Sequence, residues 1–105
     1  MARDRVKLTD LEPRWIYKQK VFAFRCPHCR KVWLTCKRVE MSQRKQREII
    51  DLAFGEDMSH QVVGCKPDVA WKFSNLDFST MTIRPSLDAS PSGHWHGHIT
   101  NGAIT

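Results

Sequence analysis

Residues 21–25, Val-Phe-Ala-Phe-Arg, form a compact apolar run of strand length. Val32-Trp33-Leu34-Thr35-Cys36 then alternates Val32, Leu34 and Cys36 on one face. Between the two runs stands Cys26-Pro27-His28-Cys29, so the pattern predicts a hairpin with a cysteine knuckle at its tip. The first twenty residues are polar with scattered anchors at Leu8, Leu11, Trp15, Ile16 and Tyr17. Pro13 breaks any helix there, and an extended arm that packs Trp15 onto the body is expected.

A helix is predicted over residues 42–54, with Ser42 as N-cap and Gly55 as C-terminal stop. Met41, Ile49, Ile50, Ala53 and Phe54 make its apolar face; Arg44, Lys45, Arg47 and Glu48 face water. Glu56 to Gln61 reads as a polar loop. Short strands are predicted at Val62-Val63 and from Val69 to Phe73, and a half-buried strand from Phe78 to Ile83. Pro85 to Gly93, with two prolines, three serines and a glycine, reads as a loop. His94 to Thr100 resumes the period of two, Asn101-Gly102 is a two-residue hairpin turn, and Ala103 to Thr105 returns as a last strand.

The chain has 105 residues, 41% of them hydrophobic, with four tryptophans, which is one domain with a thin core. Such a domain gains from an internal staple. No stretch approaches the ~20 apolar residues that span a bilayer, and Met-Ala-Arg-Asp-Arg at the start is not a signal peptide. A cytoplasmic, reducing location is therefore expected, where four cysteines point to metal rather than to disulfides. Seventeen Lys+Arg against eleven Asp+Glu give a net charge of +6, which favours acidic partners. The basic set Arg30, Lys31, Lys37, Arg38, Arg44, Lys45 and Arg47 is a candidate nucleic-acid contact, or simply a solvated face.

Cys26 and Cys29, at C-x-x-C spacing, can reach one tetrahedral ion while the turn's amides donate to the sulfurs; flanking Arg and Lys help keep the thiols deprotonated. A redox dithiol should open a helix, whereas Val32-Trp33-Leu34 continues as a strand. Zn2+ needs two more ligands, and Cys36, Cys65, His28, His60, His94, His96 and His98 are available. Residues 94, 96 and 98 share one face if the strand runs through them. The favoured set is Cys26, Cys29, His96 and one of His94 or Cys65; a four-cysteine site is the alternative, although Cys36 and Cys65 also suit small buried apolar positions. The expected fold is α+β, mostly β: a small zinc-stapled antiparallel sheet with a hairpin knuckle and one inserted helix. It forms one domain, 1–105, with the arm at 1–20 and the helical insertion at 41–58.

Several segments in order carry a resemblance: Leu8-Thr9-Asp10-Leu11-Glu12-Pro13-Arg14-Trp15, the knuckle, Asp68-Val69-Ala70-Trp71, Arg84-Pro85-Ser86-Leu87 and Ile99-Thr100-Asn101-Gly102. Together they resemble a family of short bacterial and phage proteins long treated as a domain of unknown function. Some members belong to bacterial ubiquitin-like (Bub) conjugation operons and are regarded as zinc-containing serine peptidases; phage members have carried the doubtful label "ammonia monooxygenase". The resemblance implies a proline-serine pair, matched by Pro85-Ser86, and a histidine, matched by His96. The family's cysteine has no counterpart in Pro91-Ser92-Gly93-His94, so either His94 takes its metal position or the site is altered.

A serine hydroxyl needs a base within hydrogen-bond reach to become a nucleophile. One of the three histidines would serve Ser86, with His98 the one left over from metal binding and Asp88 or Asp77 orienting it. A zinc with an open position and an activated water is a further option, but no H-E-x-x-H is present and the last 49 residues contain no Glu. The expected function is cleavage of a protein or ubiquitin-like tail, in the host cytosol if the protein is phage-borne. The alternative is a non-enzymatic phage or mobile-element protein that engages a host protein or nucleic acid through its basic surface. A third option, assembly through an open edge, rests only on the short C-terminal strand.

Overall fold

The computed structural model describes residues 6–59 and 61–105, without the side chains of 56 and 59. Residues 1–5 of the arm and His60 lie outside the described residues. Eight strands form two four-stranded sheets, with the helical segment between the third and fourth strands, so the fold is α+β and mostly β. The first sheet has the order β1-β2-β3-β4, from Arg14–Ile16 (β1), Val21–Arg25 (β2), Trp33–Lys37 (β3) and Val62–Gly64 (β4). The second has the order β5-β6-β7-β8, from Lys72–Phe73 (β5), Ile83–Asp88 (β6), His96–Thr100 (β7) and Ala103–Ile104 (β8).

The hairpin forms as its sequence predicts: β2 and β3 pair antiparallel with Phe24 opposite Leu34, and the Cys26 N–H donates to the Val32 carbonyl at 2.9 Å. Both strands are buried on both faces, which is why 21–25 reads as a continuous apolar run. One face meets the second sheet. Phe22 and Phe24 stack at 5.3 Å, while Trp15 lies 5.4 Å from Phe22 and 5.3 Å from Phe73. The other face meets the helix α1, Gln43–Phe54, through Ala23, Trp33, Ile50 and Val62. The Arg14 and Arg25 guanidiniums lie over the Trp33 ring at 4.3 and 4.4 Å. Each such contact is worth about 0.5–1 kcal/mol, against about 1.5–3 kcal/mol for burying a large apolar side chain, so burial dominates there.

Ser42 caps α1, its hydroxyl accepting the Lys45 N–H at 3.1 Å, and Gly55 ends it at φ +79°. Ile49 and Ile50 are buried as the amphipathic pattern requires, but Ala53 is exposed. A second short helix, α2 (Glu56–Ser59), occupies part of the expected loop. The helices make the crossover from β3 to β4, which pair parallel, and a parallel neighbour cannot be reached by a tight turn. The sheet is therefore not wholly antiparallel.

Four other expectations are corrected. The arm is not simply extended: Leu8–Leu11 is a 3-10 turn with Leu8 and Leu11 fully buried, and 14–16 pairs with β2. Residues 78–82 form no strand, because Asp77 accepts the Ser79 N–H at 2.9 Å and its hydroxyl at 2.7 Å, closing a local turn. The strand starts at Ile83 and runs through Pro85, where the prolines and serines predict a loop. Proline is accommodated because the β6–β7 register shifts between Ile83 and Leu87, and β5 pairs only with Ile83 and Arg84. The Asn101-Gly102 turn is as predicted, with φ +49° and +75°. The β8 edge is not open, since Lys7 bridges Ala103 and the Ile104 N–H donates to the Val6 carbonyl.

Lys37, placed by its sequence on a basic surface, is buried instead. Its Nζ lies 3.1 Å from Asp68 and 3.2 Å from Glu40 and donates to the Met41 carbonyl. Burial opposes its charge, but hydrogen bonds to the two carboxylates outweigh that and raise its pKa. Hydrogen bonds from Gln43, then Lys37 and Gln46, depress the Asp68 pKa. A depressed carboxylate stabilises the fold fully above its unfolded pKa of ~3.9, and that stabilisation is lost as pH falls through the lower folded value. Thermal melts of Asp68→Asn should therefore show lower stability than wild type at neutral pH, with the gap closing at strongly acid pH.

Candidate functional site

The knuckle turn is built by backbone bonds. The Arg30 N–H donates to the Cys26 carbonyl at 2.8 Å, with Arg30 itself in the left-handed region at φ +60°. The Lys31 N–H points at Cys29 Sγ, 3.4 Å away. The Cys29 pKa is lowered, first by the Val32 amide and then by that of Lys31. Backbone dipoles, not the flanking Arg and Lys side chains, thus favour the thiolate.

His94 comes to the knuckle from the second sheet. Ser90–Ser92 makes a 3-10 turn ending at Gly93 (φ +78°), and the His94 N–H donates to the Ala89 carbonyl at 3.0 Å. Next to it Trp95 is buried, edge-on to Phe24 at 6.0 Å. Phe24 lies two residues before Cys26 and Trp95 one after His94, so this contact delivers both sides of the site. Gly97 leaves the space: a Cβ there would lie 2.6 Å from the Trp95 ring.

Cys26, Cys29 and His94 bring one sulfur or nitrogen each to within 4.8 Å of one another, the one such group among the described residues. Cys29 Sγ and His94 Nδ1 are 3.7 Å apart. Ligands at ~2.3 and ~2.0 Å from a tetrahedral ion would be about 3.6 Å apart, so the group fits a metal ion. The other predicted ligands lie elsewhere. His96 is exposed and its Nδ1 lies 4.0 Å from Asp88. His28 is exposed at the knuckle tip. Cys36 and Cys65 are buried; burial pushes the Cys36 thiol well up and raises Cys65 to about 12, Cys65 also feeling Asp88 and Cys26. Both are neutral small core residues, and no four-cysteine group forms among the described residues. The period of two does not hold at His94, because the strand begins only at His96.

His96 and His98 do share the solvent face of β7, whose burial alternates. On that face Ser86 and His98 line one hollow of about 670 Å³, together with Lys72, Arg84 and Pro85. Asp88 does not join them. Its carboxylate accepts the Ser90 hydroxyl and, at 2.8 Å, the Ser90 N–H, which lower its pKa, and it faces His96 rather than His98. Asp77 is held by Ser79 in the turn before β6. Neither acid orients His98. Lys72 and Arg84 carry no motif that marks them in the sequence, since only the β5–β6 register brings them together.

No family model, curated protein or solved structure matches the chain. No helix among the described residues is long and apolar enough to cross a membrane.

Gly97→Ala is expected to displace Trp95, costing about 1–3 kcal/mol from overpacking and weakening metal binding through His94. Melting with and without added zinc, alongside metal content, checks this. Added zinc is expected to raise Tm in wild type, less in Gly97→Ala, not at all in Cys29→Ser or His94→Ala, and as in wild type in His96→Ala.

Proposed function

We propose that the chain is a zinc-stapled serine-type hydrolase that cuts a protein tail, with Ser86 as nucleophile and His98 as base. The observation that carries this reading is the shared hollow on the outer face of the second sheet, which holds both side chains. Cys26, Cys29 and His94 suit an ion that ties segments together: Cys26 is fully buried, the two cysteines lie in the β2–β3 turn of the first sheet, and His94 lies just before β7 of the second. Zinc there would have three protein ligands, which would link the two sheets and leave one of its four positions to water, and soft thiolates with one imidazole favour zinc over magnesium or calcium.

In the reaction His98 takes the proton of the Ser86 hydroxyl as Oγ attacks the scissile carbonyl, then gives it to the leaving amine; water hydrolyses the acyl-enzyme. Neither side chain has a hydrogen-bond partner among the described residues, so both are free to meet around substrate. Without an orienting acid the pair is a dyad, slower than a triad. The family resemblance of the Arg84-Pro85-Ser86-Leu87 segment supports the same role for Ser86. A nucleic-acid role is less favoured, because Lys37 and the rings of Trp33, Trp71 and Trp95 are all buried.

A fluorophosphonate probe tests the reading. Wild type should be labelled, Ser86→Ala not at all, and His98→Ala about 100-fold more slowly, as expected for loss of a general base. Labelling that ignores Ser86, or none at all in folded protein, overturns the hydrolase.

A further inference from the structure

The hollow beside Ser86 is cationic in a way that sheet stability does not explain. Lys72 and Arg84 are direct cross-strand partners on β5 and β6, and both are exposed. Like charges directly opposite one another weaken strand pairing, and β5 has only two residues with which to pair. Neither side chain has an ion pair or hydrogen bond among the described residues. No Asp or Glu lines the hollow, whereas Thr82, Ser86 and Thr100 line it with hydroxyls. Glu40, which reaches the wall by accepting the Ala70 N–H at 2.8 Å, is already paired with Lys37. An anion between Lys72 and Arg84 would turn the cross-strand repulsion into attraction.

We propose that Lys72 and Arg84 form a carboxylate-binding subsite that holds an acidic peptide across the outer face of the second sheet, next to Ser86. This deepens the hydrolase reading and rests on it for the identity of the bound peptide as substrate. A carboxylate suits the pair, because an arginine fork takes its two oxygens and a lysine ammonium supplies a second, freely rotating donor. β5 is the end strand of the second sheet, the position at which an extended chain adds to a sheet. A free C-terminus and the side chains of Asp and Glu both supply that carboxylate, and the two sources are separable by experiment.

The test measures binding, not turnover. Fluorescence anisotropy of full-length Ser86→Ala protein is recorded with a labelled alternating glutamate–alanine peptide, its C-terminally amidated form, and its glutamine–alanine analogue. Lys72→Ala and Arg84→Gln should each weaken the acidic peptide about tenfold, in line with loss of a charge-assisted contact, while melting at or slightly above the wild-type temperature because the cross-strand repulsion is relieved. Loss of affinity on amidation identifies the α-carboxylate as the ligand; loss on the glutamine swap identifies side-chain carboxylates. Equal binding of all three peptides, or binding indifferent to both substitutions, overturns the subsite. If Ser86 is not labelled by fluorophosphonate yet the charge preference persists, the hydrolase reading fails and the subsite stands. Labelling of Ser86 without any charge preference leaves the hydrolase and removes the subsite.

Discussion

The edge-on contact between Phe24 and Trp95 is the constraint on which the rest of the site depends. It joins the first sheet to the second at a point close in sequence to every residue of the metal group. Trp95 can sit there only because Gly97 has no side chain, so its ring occupies the space that a Cβ would fill. Edge-to-face ring pairs contribute about 0.5–1.5 kcal/mol beyond burial. The larger consequence is geometric: Trp95 anchors the backbone next to His94, whose Nδ1 stands 3.7 Å from Cys29 Sγ. A metal ion would then lock a juxtaposition that packing has already made, and a preformed site loses less entropy on binding.

The two sheets divide their labour by face. The central strands of the first, β2 and β3, are buried on both sides, and the hairpin they form carries a buried Cys26 and a partly buried Cys29. The second has one wet face, and on it stand His96, His98, Lys72 and Arg84. The Lys37 clamp ties Glu40 and Asp68, on either side of the helical crossover, to the end of β3. That is why a lysine in a strongly basic sequence is withdrawn from the surface.

Where expectation and structure differ, local backbone chemistry overrides periodicity. The alternation from Phe78 to Ile83 suits a strand, yet Asp77 offers Ser79 a closer partner than any neighbouring strand could. Pro85 argues for a loop, but its missing N–H costs nothing where the ladder is already interrupted. At the metal group the equal spacing of three histidines misleads, because period two holds only within a strand and His94 precedes it. The acid partner for His98 fails for a similar reason: Asp88 lies opposite His96 in the ladder and is bound by its own neighbour, Ser90.

The hairpin, the capped helix, the Asn101-Gly102 turn and the paired thiols of Cys26 and Cys29 were determined by the sequence itself. Each depends on residues within one turn or one strand length, where covalent spacing leaves few alternatives. The identity of the third metal-facing residue, the neutrality of Cys36 and Cys65, the burial of Lys37 and the meeting of Ser86 with Lys72, Arg84 and His98 were decided by the tertiary structure. These depend on which strands become neighbours and in what register. Register follows from the summed burial of both sheets rather than from any local pattern.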